Sequence, residues 1–300
     1  MPIKITLTEA PEQIDAVLKI RHKVFSEEEQ KIPASPDGRI LDRFDAYPST
    51  KNLAVLVENE VVGGMRLTLD SKMGLPADEY YDFRSQLPSD YQLMSCGMYC
   101  ITKPFRSPRI ALGLILMASY FAVAHKVSHV IAPVNPDIAK LLKRVGFETL
   151  GEEMLEPHTG LTILPMLLDM NNLNDFFFNF TESNRLNNFI NSYECVFYRK
   201  DEYIIRAGEQ ADTAYVIIEG EVAVQLPDAN ESVHIMKQGE VFGELALLTD
   251  GVRSADVIAI TDIRVMALEK TVFTQHLLHH PEQAMLMLKN IANRLATKTY

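Results

Sequence analysis

The sequence has 300 residues, 47% of them apolar and 23% charged, with a formal net charge of −11 and three cysteines. That length exceeds one core and points to two domains at about 100 to 200 residues each. The acidic balance argues against a nucleic-acid polymer as partner, because its phosphates need basic surface. Cys96, Cys100 and Cys195 supply neither a disulfide framework nor four zinc ligands, so a reduced, cytoplasmic setting is expected.

Taken in chain order, Met1 to Glu9 carries no uninterrupted apolar region of signal-peptide type, and Ile3 to Leu7 alternates as a strand does. Glu9 and Pro11 supply a helix start, after which Ile14, Val17, Leu18, Ile20, His22, Val24 and Phe25 fall largely on one side. Leu53 to Val57 and Val61 to Leu69 read as strands joined at Glu58-Asn59-Glu60, a hairpin. Leu93 to Ile101 reads as another strand, and Pro104 to Pro108 as a loop feeding a helix over Ile110 to Lys126. The apolar window Ile110 to Val123 is shorter than the ~20 residues that span a bilayer, so no membrane span is expected. Val130 to Val134 is an apolar strand, Asn135-Pro136-Asp137 opens a short helix, and Gly146-Phe147 closes it. The order is mixed α/β, an antiparallel hairpin preceding strand and helix units.

Tyr91 to Pro136 contains no Asp or Glu but holds Lys103, Arg106, Arg109 and Lys126. This points either to an anionic partner nearby or to a buried helix and strand with few charges of any kind. Cys96 and Cys100, four apart, are expected on the same side of their strand, as packing residues rather than nucleophiles. Met94, Met98 and Met117 are expected to fill the core, with the lining of an apolar pocket as the alternative. His125 and His129 have helical spacing, but Ser128 marks the helix end, so no metal pair is expected.

Asn171 to Asp175 is the best linker, and it places a boundary between residues 172 and 173. Residues 1–173 hold 18 basic and 22 acidic residues, whereas residues 174–300 hold 11 and 18, so the C-terminal part is the more acidic. There a short helix over Glu182 to Ile190 precedes β segments punctuated by Gly208, Gly220, Gly239, Gly243 and Gly251. A closing helical region, Lys270 to Thr299, carries Phe273, Leu277, Leu278, Met285, Leu288, Ile291 and Leu295. Short strands with turns every 10 or so residues predict an antiparallel barrel or jelly roll flanked by helices.

The sharpest motif is Phe242-Gly243-Glu244-Leu245-Ala246-Leu247-Leu248, followed nine residues after the glutamate by Arg253-Ser254-Ala255. A glycine before a short turn exposes successive backbone N–H groups, which with one guanidinium suit a singly charged cyclic phosphate. Together with Gly208, Asp212, Tyr215, Ile217 and Gly220, these residues resemble the cyclic nucleotide-binding domains of protein kinase A regulatory subunits and catabolite activators. The resemblance covers residues 175 to 300. It implies that Glu244 holds a ribose hydroxyl, that Arg253 holds the phosphate, and that Gly243, Leu245, Ala246, Ser254 and Ala255 line the cassette. Ser254 is compatible with cAMP or cGMP, and cAMP is favoured. The sequence stops at Tyr300 without a helix-turn-helix after the closing helix, so no transcription factor of the catabolite-activator type is expected.

In the first half, Arg21-His22-Lys23-Val24-Phe25, Asp42-Arg43-Phe44-Asp45, Gly63-Gly64-Met65-Arg66-Leu67 and Arg144-Val145-Gly146-Phe147 resemble the autoinducer synthases and long-chain N-acyl amino acid synthases of the GNAT acyltransferase superfamily. The resemblance implies that Arg21, Phe25, Asp42, Asp45 and Arg66 shape the pocket of an amine substrate. Such an enzyme needs no covalent intermediate: the amine attacks an acyl thioester held between splayed strands, and a base or water takes the proton. Asp42 or Asp45 is positioned by the motif to attract the ammonium or relay its proton, and the backbone of Leu93 to Ile101 to stabilise the oxyanion. Three positions depart from the family: Ser95-Cys96-Gly97-Met98 stands where a glutamate base is expected, Pro108 interrupts the glycine-rich diphosphate loop, and Leu142 replaces the acid tyrosine. Lys103, Arg106 and Arg109 lead into a helix N-terminus and are candidates for the phosphate of acyl-CoA or an acyl carrier protein.

The expectation is thus an α/β GNAT-like domain over 1–172, a mixed sheet with helices, followed by an α+β cyclic nucleotide-binding domain over 173–300, a β-jelly roll with flanking helices. Its function is expected to be cyclic-nucleotide-regulated transfer of a fatty acyl group to an amine. The alternative is a non-catalytic cyclic-nucleotide sensor whose acyltransferase fold binds an acyl carrier or a protein partner.

Overall fold

The computed structural model describes the chain except for residues 1, 9, 80, 158, 173–192, 228–232, 280 and 297–300. It divides into two compact units: Met1–Ile190 with Glu194–Val196, and Asn191–Tyr193 with Phe197–Tyr300. The helix expected over Glu182 to Ile190 and the linker residues after Asn172 lie outside the described residues.

The first unit is built on β1 (Ile3–Leu7), β2 (Thr50–Val57), β3 (Glu60–Leu69), β4 (Leu93–Ile101), β5 (His129–Val134), β6 (Glu148–Thr149), β7 (Met154–Leu155) and β8 (Thr162–Asp169). Within it the strands run β1-β2-β3-β4-β5-β8-β6, with β7 on β8. All neighbours are antiparallel except β4 and β5, the pair joined through a helical crossover. Glu58 and Asn59 both take positive φ, 52° and 68°, the conformation a two-residue hairpin turn needs between β2 and β3. β2 and β3 are buried over most of their length, and each fully buried Leu, Ile, Val or Met contributes about 1.5–3 kcal/mol.

Among the described residues the unit has three α-helices, α1 (Pro11–His22), α2 (Pro108–Ala124) and α3 (Pro136–Val145). Each begins with proline in its first turn, where the missing N–H costs nothing. α1 packs on β3, and Gly64 permits that approach: a methyl there would stand 2.8 Å from Leu53 O and 3.2 Å from Val17 Cγ1. In α2 twelve of 17 residues are buried, so the helix is apolar around its circumference. Burial accounts for the lack of acids along that part of Tyr91 to Pro136. α3 ends at Gly146 with φ 117°, a left-handed C-cap.

The pairing of β3 with β4 carries one irregularity. Gly64 opposes Cys100 and Arg66 opposes Gly97, so two steps on β3 meet three on β4, and Met98 has φ 50°. This bulge overturns the expectation that Cys96 and Cys100 share a side. Cross-strand partners share a face; Cys96 partners Leu67, whereas Cys100 partners Gly64, and those two β3 residues alternate to opposite faces.

Tyr193–Tyr198 forms β9, whose residues are divided between the two units. The second unit is a jelly roll of short antiparallel strands: β10 (Tyr203–Ile205), β11 (Thr213–Glu219), β12 (Val222–Gln225), β13 (Val233–Met236), β14 (Val241–Phe242), β15 (Asp256–Ala259) and β16 (Ile263–Glu269). β11 lies between β14 and β16, and a second sheet runs β10-β15-β12-β13. α4 (Glu244–Leu248) interrupts the strands, and the closing region is two helices, α5 (Lys270–His279) and α6 (Pro281–Ala296). Pro281 lacks the N–H needed to continue α5 and opens α6 instead. Phe273 and Ile291 are buried as an amphipathic helix requires, but Leu278, Met285 and Leu288 stand exposed.

Candidate functional site

The residues singled out in the first half meet in one charged cluster. Asp42 and Asp45 bracket a single 3-10 turn as a capping box: the Asp42 carboxylate accepts from Phe44 N–H at 2.8 Å, and that of Asp45 from Asp42 N–H at 3.0 Å. The turn thereby presents both carboxylates to two arginines. Arg66 Nη1, from β3, donates to Asp42 Oδ1 at 2.7 Å and to Asp45 Oδ2 at 3.1 Å. Arg21, from the last turn of α1, donates to Asp45 Oδ1 at 2.9 Å and to Asn52 Oδ1 at 2.5 Å. Arg21 is fully buried and the side chains of Arg66 and Asp45 nearly so, while Asp42 is 38% exposed and forms the open edge. Arg21 Nε is buried without a hydrogen-bond partner among the described residues. Asn52, buried on β2 opposite Arg66, is a member that the motifs did not reveal. Its only sequence signal is an amide within the otherwise apolar run that follows Lys51.

This cluster abuts an opening in the sheet. β4 and β5 pair only at Leu93, Met94 and Ser95 with His129, Val130 and Ile131; beyond Ser95 they have no paired register. Gly97 lies just past that point, directly opposite Arg66, and nothing stands within 4 Å of where its Cβ would be. The unpaired backbone of β4 on this side is the kind of donor row that polarises a thioester carbonyl. Burial pushes the nearby Cys96 and Cys100 thiols up to about 12, which favours their protonated form at neutral pH. Burial likewise raises Tyr99 to about 12, reinforced by Cys100 and opposed by Arg106. Leu142 is buried in α3 and offers no proton.

Of the three basic residues, Lys103 and Arg106 lie in the loop from β4 to α2 and Arg109 in the first turn of α2. Ser107 caps α2, its Oγ accepting from Ile110 N–H at 3.3 Å. Arg106 is already engaged: Nε donates to Ile101 O at 2.8 Å, and Nη2 lies 2.6 Å from Glu29 Oε1 and 3.5 Å from Glu28 Oε2. Glu28 also accepts from Lys103 N–H at 3.0 Å. The local absence of acids is therefore compensated by carboxylates from a segment more than seventy residues earlier. The Lys103 side chain is exposed. Among the described residues no group of three His, Cys, Asp or Glu side chains is placed to hold a metal ion, and no helix is long and apolar enough to cross a membrane.

In the second unit the cassette residues converge on α4. Gly243 has φ 76° and immediately precedes Glu244, which is buried. A methyl at Gly243 would lie 2.8 Å from Arg253 Nη1 and 2.9 Å from Ile205 Cδ1, so backbone conformation and space both require glycine. Arg253 is buried, Nη1 donating to Gly243 O at 2.7 Å and Nη2 to Thr213 O at 2.6 Å. Its own N–H donates to Glu209 O, and its carbonyl accepts from Gly208 N–H, each at 2.8 Å, which ties the arginine to the Gly208 turn. Ala246 and Ala255 are buried, whereas Leu245 and Ser254 are exposed at the rim. Phe242 stacks on Tyr215 at 5.1 Å and fixes the strand that leads into the turn.

Residues 16–169 match the family model of the N-acyl amino acid synthase FeeM, and residues 195–280 match that of the cyclic nucleotide-binding domain. Among curated proteins, human cGMP-dependent protein kinase 2 is 34% identical over 96 residues, 30% of this chain and 13% of that protein. The cAMP-dependent protein kinase regulatory subunit of Colletotrichum orbiculare is 41% identical over 86 residues, 29% of this chain and 22% of that protein. The chain thus spans only a small part of the length of these curated relatives. Among solved structures, FeeM, an N-acyl amino acid synthase from uncultured soil microbes, superposes with a TM-score of 0.48 at 18% identity, covering 57% of this chain and 93% of that one. BjaI, a CoA-dependent acyl-homoserine lactone synthase, gives a TM-score of 0.48 at 21% identity, covering 58% and 89%.

Proposed function

Since the chain belongs to the family of the N-acyl amino acid synthase FeeM and carries a C-terminal cyclic nucleotide-binding domain, we propose that it is a cyclic-nucleotide-regulated N-acyltransferase. Residues 1–172 move an acyl group, fatty in character, from a CoA or acyl carrier protein thioester to the amine of an amino acid. Residues 173–300 bind a cyclic nucleotide, cAMP before cGMP, that sets the rate of this transfer.

The observation that carries the reading is the register of Arg66 against Gly97. It sets the charged cluster beside the point where β4 leaves β5. A thioester lying in that opening would have β4 backbone N–H groups at its carbonyl, and Asp42, the open edge of the cluster, would attract the acceptor's ammonium. Lys103, Arg106 and Arg109 are the cations available to the donor's phosphate, with Arg106 exchanging Glu28 and Glu29 for it. In the second domain the buried Arg253 and Glu244, one on each side of the Gly243 turn, suit a phosphate and a ribose hydroxyl, and Leu245, Ala246, Ser254 and Ala255 suit the surrounding wall. Regulation requires the nucleotide to bind two states unequally, by a coupling of about 1–3 kcal/mol.

The test is the full chain incubated with acyl-CoA or acyl carrier protein thioesters and the proteinogenic amino acids, with and without cAMP or cGMP, and read by mass spectrometry. N-acyl amino acids are expected, at a rate that nucleotide changes in the wild type and leaves unchanged in Arg253→Ala. No acylated product under any condition would sink the transferase reading. Equal nucleotide-induced thermal shifts in wild type and Arg253→Ala would sink the nucleotide site.

A further inference from the structure

Between the charged cluster and the donor loop runs a short stretch of chain with a histidine that neither of them uses. At one end Arg21 is bound into the cluster through Asp45 and Asn52. At the other, Glu28 and Glu29 hold Lys103 N–H and the Arg106 guanidinium. In between, the α-helical repeat gives way to a π-helix over Lys23–Glu28, in which Glu29 N–H donates to Val24 O, five residues back, at 2.9 Å. Such wide turns are rare and concentrate at functional positions. In an α-helix the side chains that meet are three and four apart. Here residues five apart meet instead: His22 Nδ1 lies 3.2 Å from Glu27 Oε1.

The two partners face different surroundings. Glu27 is 60% exposed, whereas the His22 side chain is 10% exposed and its Nε2 is buried with no hydrogen-bond partner among the described residues. A carboxylate on Nδ1 favours the tautomer that keeps the proton there and leaves Nε2 a free lone pair. The other basic groups at hand are committed: Asp45 to Arg21, Arg66 and a backbone N–H, Asp42 to Arg66 and Phe44 N–H, and both β4 cysteines are held as thiols.

We propose that His22 is the general base of acyl transfer, oriented by Glu27; the assignment rests on the acyltransferase reading above. Nε2 removes one proton from the acceptor's ammonium. The freed nitrogen forms the C–N bond to the thioester carbonyl carbon as the C–S bond breaks, and its second proton passes to the departing sulfur, giving an amide and a thiol. The imidazolium then gives up its Nε2 proton to water as the products leave, which restores the Nδ1-protonated ring that Glu27 orients.

The experiment uses the full chain with dodecanoyl-CoA and the proteinogenic amino acids, following free thiol and N-acyl product. His22→Gln is expected to lower kcat ~10²–10³-fold with the donor KM unchanged. His22→Ala should regain part of its turnover when imidazole is added, and Glu27→Gln, at a side chain 60% exposed, should lose roughly tenfold of the 10²–10⁴-fold that a general base supplies. Wild-type turnover in His22→Gln overturns the assignment, as does a His22→Ala loss that imidazole leaves untouched while Glu27→Gln stays fully active. A wild-type chain that makes no N-acyl product refutes the acyltransferase reading itself, and the base with it.

Discussion

Removing the Asp45 carboxylate should cost far more stability than removing its neighbour Asp42, although both sit in one capping box and both touch Arg66. Asp45 is 5% exposed and bridges two guanidinium groups that are themselves 0% and 4% exposed. Asp45→Ala therefore leaves two buried positive charges, one of which, Arg21, keeps among the described residues only Asn52 and a 3.4 Å contact to Ile40 O. Breaking a buried pair in this way costs about 3–5 kcal/mol. Asp42 is 38% exposed; its loss removes a screened ion pair and one cap, about 1–2 kcal/mol together. For a unit of this size 1 kcal/mol moves the melting temperature by about 2–4 °C, so calorimetry should show a drop of roughly 6–20 °C for Asp45→Ala and a few degrees for Asp42→Ala. The combined variant Arg21→Met, Arg66→Met, Asp45→Leu should recover much of the loss, because no buried charge is left uncompensated and the Asp42 carboxylate that loses Arg66 is 38% exposed to water. Equal drops for the two single variants would refute the account of the cluster as a buried charge bridge.

Gly243→Ala should destabilise the second unit by about 1–2 kcal/mol through its left-handed backbone alone, displace Arg253, and abolish the cAMP-induced thermal shift; an undiminished shift contradicts the cassette geometry. All three cysteines are buried, so iodoacetamide at pH 8 should label the folded chain far more slowly than the urea-unfolded one, which mass spectrometry resolves. Because burial raises Cys96 and Cys100 from 9.0 to about 12, the folded state binds their protons more tightly. Their contribution is complete below pH 9 and is lost as the pH rises towards about 12, so denaturant midpoints should fall over that interval and not below it. Arg106→Gln breaks a partly exposed ion pair and should cost about 1 kcal/mol, yet raise the KM for acyl-CoA several-fold; an unchanged KM removes Arg106 from the donor site.

Much of the fold is legible in the sequence because its signals are local. The span Leu93 to Ile101, the hairpin at Glu58-Asn59 and the helix from Asn135 to Gly146 follow from alternation, turn chemistry and caps, and each needs only its own neighbours. What the sequence does not announce depends on pairings across long separations. The bulge at Met98 comes from the register of β4 against β3, so the shared side expected for Cys96 and Cys100 failed although the strand itself was bounded correctly. The carboxylates on Arg106 come from Glu28 and Glu29, which reading along the acid-free stretch cannot reveal. The π-helix likewise hides in a run that reads as plain amphipathic helix through Val24 and Phe25. In the second half Gly243, Glu244 and Arg253 stand out because a short motif spaces them within eleven residues, whereas the break at Pro281 needed attention to one residue inside a long apolar periodicity.

The extra residue in β4 behaves like a frameshift. A strand is read two residues at a time, and Met98 moves the frame by one, so that Tyr99, Cys100 and Ile101 each occupy the face that the next residue would otherwise take. Deleting Met98 would restore strict alternation and still leave Cys100 opposite Gly64, because two steps on β4 would then meet two on β3. Closing the bulge with Met98 kept would instead exchange the inner and outer sides of the last third of the strand, and Cys100 would leave the face of Gly64 and Arg66. The alignment of that face with β3 thus depends on how one residue is accommodated, and composition alone does not set it.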